Sequence, residues 1–163
     1  MYRATRNDEG SPMRVVLQRV SRSAVEVDGE TTGLIGTGLL ALVGVAQGDA
    51  EVDARVAAAK TIGMRIFPDA EAKMNRSVVD IGGAVLVVSQ FTLLADVRKG
   101  RRPAFTAAAR PEEAVPILDA FALAIEAEGV RVAHGRFGAH MEVELLNDGP
   151  VTIVFDVQNG RIR

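Results

Sequence analysis

Ser89, Gln90 and Thr92 follow directly on an unbroken apolar run, Ala84 to Val88, and it is here that chemistry is sought first. A Val-rich run preceded by Gly82 and Gly83 reads as a strand buried on both faces. Hydroxyl and amide groups just beyond such a strand must find partners or act on something. A turn there can aim backbone N–H groups and side chains into one crevice, as an oxyanion site requires. The same residue types also bond nearby backbone at turns, so residue types leave both readings standing. Next come Arg98, Lys99, Gly100, Arg101 and Arg102, the densest positive charge in the chain. That run is either a solvated loop or a phosphate contact. Gly149-Pro150, within Asn147-Asp148-Gly149-Pro150, reads as a turn, cis X-Pro bonds being only about 5–6% of those in folded proteins.

Other chemistries find less support. A Ser-His-Asp triad would have to use His134 or His140, the only histidines, and neither lies in a nucleophile-elbow context; both read as structural or exposed. Cysteine is absent, which removes disulfides and thiolate ligands or nucleophiles. Carboxylates at metal-binding spacing are not seen, and Gly33, Gly36 and Gly38 lack the strand, GxGxxG, helix order of a dinucleotide site. A net charge of -2 speaks against a general polyanion binder, so any nucleic-acid contact is local. Aromatic residues at 4%, with no Trp, weaken a reader that stacks single-stranded bases.

The elements that must position these residues follow from pattern. A chain of 163 residues suits one domain, with residues 13–157 as its body, 158–163 as a polar tail and 1–12 as a disordered extension. The opening residues lack the apolar region of a secretory signal, and no run is long enough to span a membrane, so a cytoplasmic location is expected. Met13–Val20 and Ser23–Val27 predict two successive antiparallel strands or a hairpin, with a glycine-punctuated turn over 33–38 and a strand over Leu39–Val45. Val52, Val56, Ala59 and Ile62 predict the buried face of a first helix. Val115, Leu118, Ala122 and Ile125 predict that of a second, opened by Pro111. Short strands are predicted at Met64–Phe67, Val130–His134, Met141–Leu146 and Val151–Val157. The fold class expected is mixed α+β, a mostly antiparallel sheet, barrel-like or layered, with two main helices on one side.

Two of these stretches, Ser89-Gln90-Phe91-Thr92-Leu93 and Asn147-Asp148-Gly149-Pro150-Val151-Thr152, resemble the SQxTL and NxGPxT signatures of D-aminoacyl-tRNA deacylases, also called D-tyrosyl-tRNA deacylases. The resemblance runs from about Met13 to Val157 and takes in Leu17-Gln18-Arg19-Val20, Gly63-Met64-Arg65-Ile66-Phe67, Lys73-Met74-Asn75 and Gly135-Arg136-Phe137. Gln90 and the residues around Gly149-Pro150 are similar to the bacterial type.

The resemblance implies a homodimeric hydrolase, with no metal or cofactor, that cuts the ester joining a D-amino acid or glycine to the 3′-terminal adenosine of tRNA, a proofreading step in translation. It implies that Ser89, Gln90, Phe91 and Thr92 form the catalytic floor. It also implies that Gly149-Pro150 is cis and enters the opposite subunit, its carbonyl oxygens meeting an L side chain with backbone. Arg19, Asn147 and Thr152 would support that loop, and Arg98, Lys99, Arg101 and Arg102 would reach acceptor-end phosphates. An aminoacyl ester is already activated, so positioning, oxyanion stabilisation and water suffice. Thr92 stands as nucleophile or positioning group, with no base evident to activate it. Membrane and DNA are not implied partners. A noncatalytic RNA-binding module and a small-ester hydrolase unconnected with tRNA are the competing readings.

Overall fold

The computed structural model describes residues 10–163. The expectation of a disordered extension over 1–12 therefore lies, except for residues 10–12, outside the described residues. Among the described residues, nine strands and two helices follow one another as β1 (Met13–Val27), β2 (Glu30–Ile35), β3 (Gly38–Gly44), α1 (Glu51–Gly63), β4 (Phe67–Pro68), β5 (Met74–Arg76), β6 (Ala84–Ser89), α2 (Pro111–Glu126), β7 (Arg131–His134), β8 (Glu142–Gln158) and β9 (Arg161–Ile162).

Seven strands form one sheet in the order β7-β6-β3-β1-β8-β9, with β2 also paired to β1, while β4 and β5 make a small separate ribbon. The pairings of β1 with β2, β3 and β8, and of β8 with β9, are antiparallel; only β3–β6 and β6–β7 are parallel. The sheet curls until β2 approaches β7, where the Arg131 guanidinium donates to the Leu34 carbonyl oxygen at 2.9 Å. Helix α1 packs on α2, and the pair covers one face of this half-barrel. The mixed α+β expectation, with both helices on one side, is met.

Two buried clusters result. Met13, Val15, Leu17, Val85 and Val87 face the helices, whereas Val25, Ile35, Leu40, Leu86 and Val88 fill the inside of the curl. Strand β6 alternates between them and is buried from Ala84 to Val88, as its continuous apolar run requires.

Several boundaries differ from the sequence reading. The first two strands are one, β1, with register shifts against β8 after Gln18 and Val20, and the turn expected over 33–38 shrinks to a bend at Gly36 and Thr37, residues 33–35 ending β2 and Gly38 opening β3. Gly33 belongs there because a Cβ would lie 2.4 Å from the His134 carbonyl oxygen, which is where the curl closes. Strand β8 passes unbroken through Gly149-Pro150, and the last residues turn back to pair Val157 with Ile162 and Gln158 with Arg161. The segment Met64–Phe67 contributes only Phe67 to a strand.

The helix faces also shift. In α1 the buried residues are Asp53, Ala54, Ala57, Ala58, Thr61 and Ile62, and Val52 is exposed. Close approach of two helices selects small side chains, so the alanines, not the valines, mark the contact. In α2 Val115 is exposed, and Ala114, Ile117 and Phe121 join Leu118, Ala122 and Ile125. No helix among the described residues is long and apolar enough to cross a membrane.

Candidate active site

Strand β6 ends at Ser89, and the chain then tightens into a 3-10 turn over Phe91–Leu94. The Gln90 N–H remains tied to the Val43 carbonyl oxygen at 2.9 Å, so the buried sheet fixes the start of the turn. Leu94 is buried beneath it, while Phe91 and Thr92 face outward. The Gln90 amide Nε2 donates to the Thr92 hydroxyl oxygen. The N–H groups that open a helical turn have no acceptor within it and are donors of the kind that steady a developing oxyanion.

Ser89, Gln90 and Phe91 line a cavity of about 560 Å³, within the range of roughly 300–1,000 Å³ usual for small-ligand sites. Its other walls come from remote segments: Phe105 to Arg110 with the start of α2, and Phe137 to Met141. The Phe91 and Phe105 rings meet edge to face, centroids 5.2 Å apart at 77°. The 105–109 segment is hung on the end of β3, with Ala109 N–H donating to the Val45 carbonyl oxygen at 2.9 Å and Gln47 N–H to that of Ala107 at 2.9 Å. A smaller cavity of about 140 Å³ adjoins, shares Ser89 and Phe137, and is lined also by Asp119, His134 and Arg136. The two histidines thus stand at cavity walls, His140 in the large one and His134 in the small. Neither hydrogen-bonds the Thr92 hydroxyl; among the described residues only Gln90 does.

The second motif is built by an irregularity of pairing. Between the partners Gln18–Thr152 and Val20–Asn147, β1 contains the single residue Arg19, and β8 contains Asp148, Gly149, Pro150 and Val151. The excess bulges outward, and its Gly149-Pro150 bond is cis. Arg19, 8% exposed, lies underneath. Its Nε donates to the Asp148 carbonyl oxygen at 3.1 Å and its Nη1 to that of Ile66 at 2.7 Å, and Asp148 Oδ2 pairs with Nε at 3.2 Å. Asn147 Nδ2 bridges Gln18 Oε1 at 2.8 Å and the Val151 carbonyl oxygen at 3.1 Å, and the Thr152 hydroxyl donates to the same Gln18 oxygen. Arg19, Asn147 and Thr152 therefore surround the loop. Gly149 and Pro150 are themselves exposed and absent from the walls of the large cavity.

The basic run behaves unevenly. Arg98 closes on Asp96 through Nε–Oδ1 at 2.9 Å and Nη2–Oδ2 at 2.6 Å, and these bonds pull the Asp96 carboxyl down to about 2. Lys99, Arg101 and Arg102 are exposed and make no ion pair among the described residues. None of the four lines the large cavity. The sequence reading missed Phe105, Arg110, Phe137 and Met141 as wall residues. Of these only Phe137 stood inside a stretch already singled out, Gly135-Arg136-Phe137.

Residues 16–156 match the family model described as D-Tyr-tRNA(Tyr) deacylase. A D-aminoacyl-tRNA deacylase of Chloroflexus aurantiacus is 58% identical over 88% of this chain and 90% of its own. Among solved structures, that of a "c-Myc DNA Unwinding Element Binding Protein" superposes with a TM-score of 0.80 at 36% identity, covering 86% of this chain and 96% of that one. Another, of a probable eukaryotic D-amino acid tRNA deacylase, shares the fold with a TM-score of 0.76 at 21% identity, over 88% and 98%. With both signature stretches placed on one strand-end turn and one supported bulge, and the match spanning nearly the whole described chain, the protein belongs to the D-Tyr-tRNA(Tyr) deacylase family.

Proposed function

We propose that the protein hydrolyses the ester joining a D-amino acid, or glycine, to the 3′-terminal adenosine of tRNA, as a cytoplasmic proofreading step in translation. The observation that carries the reading is the turn after β6, fixed to the sheet through the Gln90 N–H, whose Ser89, Gln90 and Phe91 line a largely apolar cavity with few polar groups and whose Thr92, outside that lining, is joined to it by the bond from Gln90. An activated ester in such a site needs orientation and an oxyanion partner more than a strong base. Thr92 is the positioning group: its oxygen already accepts a bond from Gln90, and no imidazole or carboxylate bonds it. Water, assisted by the neighbouring ribose hydroxyl, is the nucleophile.

Gly149-Pro150 serves the site of a second subunit. In its favour are its exposure, its absence from its own subunit's cavity and the rigid support under it. An apolar stripe runs nearby, Leu42, Val16 and Val154 standing side by side across β3, β1 and β8 on the sheet face away from the helices. Burying that stripe in a homodimer would bring the loops to the partner. There the carbonyl oxygens of Gly149 and Pro150 face the substrate's α-carbon, so an L side chain strikes backbone, while glycine and D residues pass.

A second reading is a noncatalytic nucleic-acid module, favoured by the DNA-binding name that the 36%-identical structure carries and by the unpaired Lys99, Arg101 and Arg102. Incubating the protein with D-tyrosyl-tRNA, glycyl-tRNA and D-tyrosine ethyl ester, in a chelator, separates the cases. The deacylase reading predicts loss of both RNA esters with the ethyl ester spared. Binding without cleavage supports the second reading, and equal cleavage of the ethyl ester supports a hydrolase unconnected with tRNA.

A further inference from the structure

We infer that Arg110 is a specificity residue that holds the 5′-phosphate of the substrate's terminal nucleotide at the mouth of the large cavity, an inference that rests on the deacylase reading above. Among the residues lining that cavity, Arg110 is the only Arg or Lys. Arg19 under the Gly-Pro loop, Arg98 with Asp96 and Arg22 with Glu144 are engaged, and Arg101, Arg102 and Arg136 stand outside the lining of this cavity. The Arg110 side chain is exposed and has no hydrogen bond or ion pair among the described residues.

Its backbone, by contrast, is held. The Arg110 carbonyl oxygen accepts from Glu113 N–H at 3.0 Å and Ala114 N–H at 2.8 Å, and the preceding Ala109 is tied to Val45. A free guanidinium thus extends from a fixed point on the cavity wall. The residue is also misplaced for a merely structural role. Arg110 is the N-cap of α2 and makes no side-chain cap bond. That position favours an oxygen acceptor, which Arg lacks, and a cation beside a helix N-terminus is electrostatically unfavourable. Glu112 and Glu113, in the first turn, offset part of that field, yet neither pairs with Arg110.

The ligand chemistry follows from the substrate. The nucleoside carrying the scissile ester is joined to the rest of the tRNA through its 5′-phosphate, the nearest negative charge to the reacting ester in every tRNA. A guanidinium recognises that group by parallel N–H donors, whatever the sequence of the RNA.

The test compares 3′-O-(D-tyrosyl)adenosine with the same ester bearing a 5′-phosphate, alongside D-tyrosyl-tRNA, in wild type, Arg110→Ala and Arg110→Lys. The expected wild-type preference for the phosphorylated ester, in kcat/KM, is about tenfold, the scale of one charge-assisted contact. Arg110→Ala abolishes the preference, raises KM for D-tyrosyl-tRNA with kcat nearly kept, and loses part of the salt dependence of KM; Lys restores some of each. A preference that survives Arg110→Ala, or a loss shared equally by both adenosine esters, overturns the inference while leaving the deacylase reading intact. If the wild type cleaves none of the three, both fall together.

Discussion

At the scale of single residues, the role proposed for Thr92 is to orient rather than attack. Thr92→Ala should therefore lower kcat on D-tyrosyl-tRNA by about 10²-fold, the effect of losing one site donor. A loss on the order of 10⁶-fold, as follows removal of an essential nucleophile, in single-turnover quench experiments would contradict that role. Asp49 offers a different test. Burial, the largest influence, and the nearby Asp53 carboxylate push its carboxyl up to about 7, against bonds from Ala46 and Met13 N–H groups that favour ionisation. The native state then holds a proton that the unfolded chain has released between about pH 4 and 7. This contribution to stability is complete below the ordinary carboxylate range and is lost as pH rises toward 7. Urea midpoints at pH 5, 6 and 7 should fall in the wild type and fall less in Asp49→Asn. Legibility at this scale was uneven. Ser89, Gln90 and Thr92 could be found because polar types break an apolar run, whereas Phe105 and Arg110 look like ordinary loop or helix-end residues, and Met141 like the start of a strand, until folding brings three remote segments to one cavity.

At the scale of elements, the fold under the site depends on one departure from regular pairing and on one close strand contact. The bulge of β8 over Arg19 is the first. Arg19→Ala would leave the Ile66 and Asp148 carbonyl oxygens without their donor, at about 1–3 kcal/mol each if they stay buried. Thermal melting should drop, and rejection of the L ester should weaken more than cleavage of the D ester. The second is the close approach of strands at glycine: a Cβ on Gly38 would lie 1.9 Å from the Ala84 carbonyl oxygen. Gly38→Ala should cost about 1–3 kcal/mol or more by forcing β3 from β6, visible as a lowered denaturant midpoint. Strand β6 and both helices were legible because apolar runs and helical spacing signal burial directly. The continuity of β1 and β8 was not: Ser21, Arg22 and Asn147–Pro150 look like turns, and only pairing along the facing strand carries the chain through them. The contact face of α1 was misread for a related reason, since alanine contributes little to a hydrophobic pattern yet permits the closest helix approach.

At the scale of the whole molecule, the proposed arrangement has each subunit supply one half of its own site and the other half of its partner's. Mixing Thr92→Ala with Pro150→Ala subunits tests this: in a cross-subunit arrangement the heterodimer has one site with both defects and one with neither. The cleavage of L-tyrosyl-tRNA that Pro150→Ala homodimers show should be nearly lost in the mixed species, whose one site with Thr92 then also has Pro150, and about half of it should remain if each site is built within one chain. The fold class was legible from the order of strands and helices, and the family from two short motifs. The most direct measurement is hydrolysis of matched D-tyrosyl-tRNA and L-tyrosyl-tRNA by the purified protein, with a chelator present. Chirality-selective deacylation predicts rapid loss of the D ester with the L ester spared. Equal cleavage of both, or cleavage of neither, would contradict it.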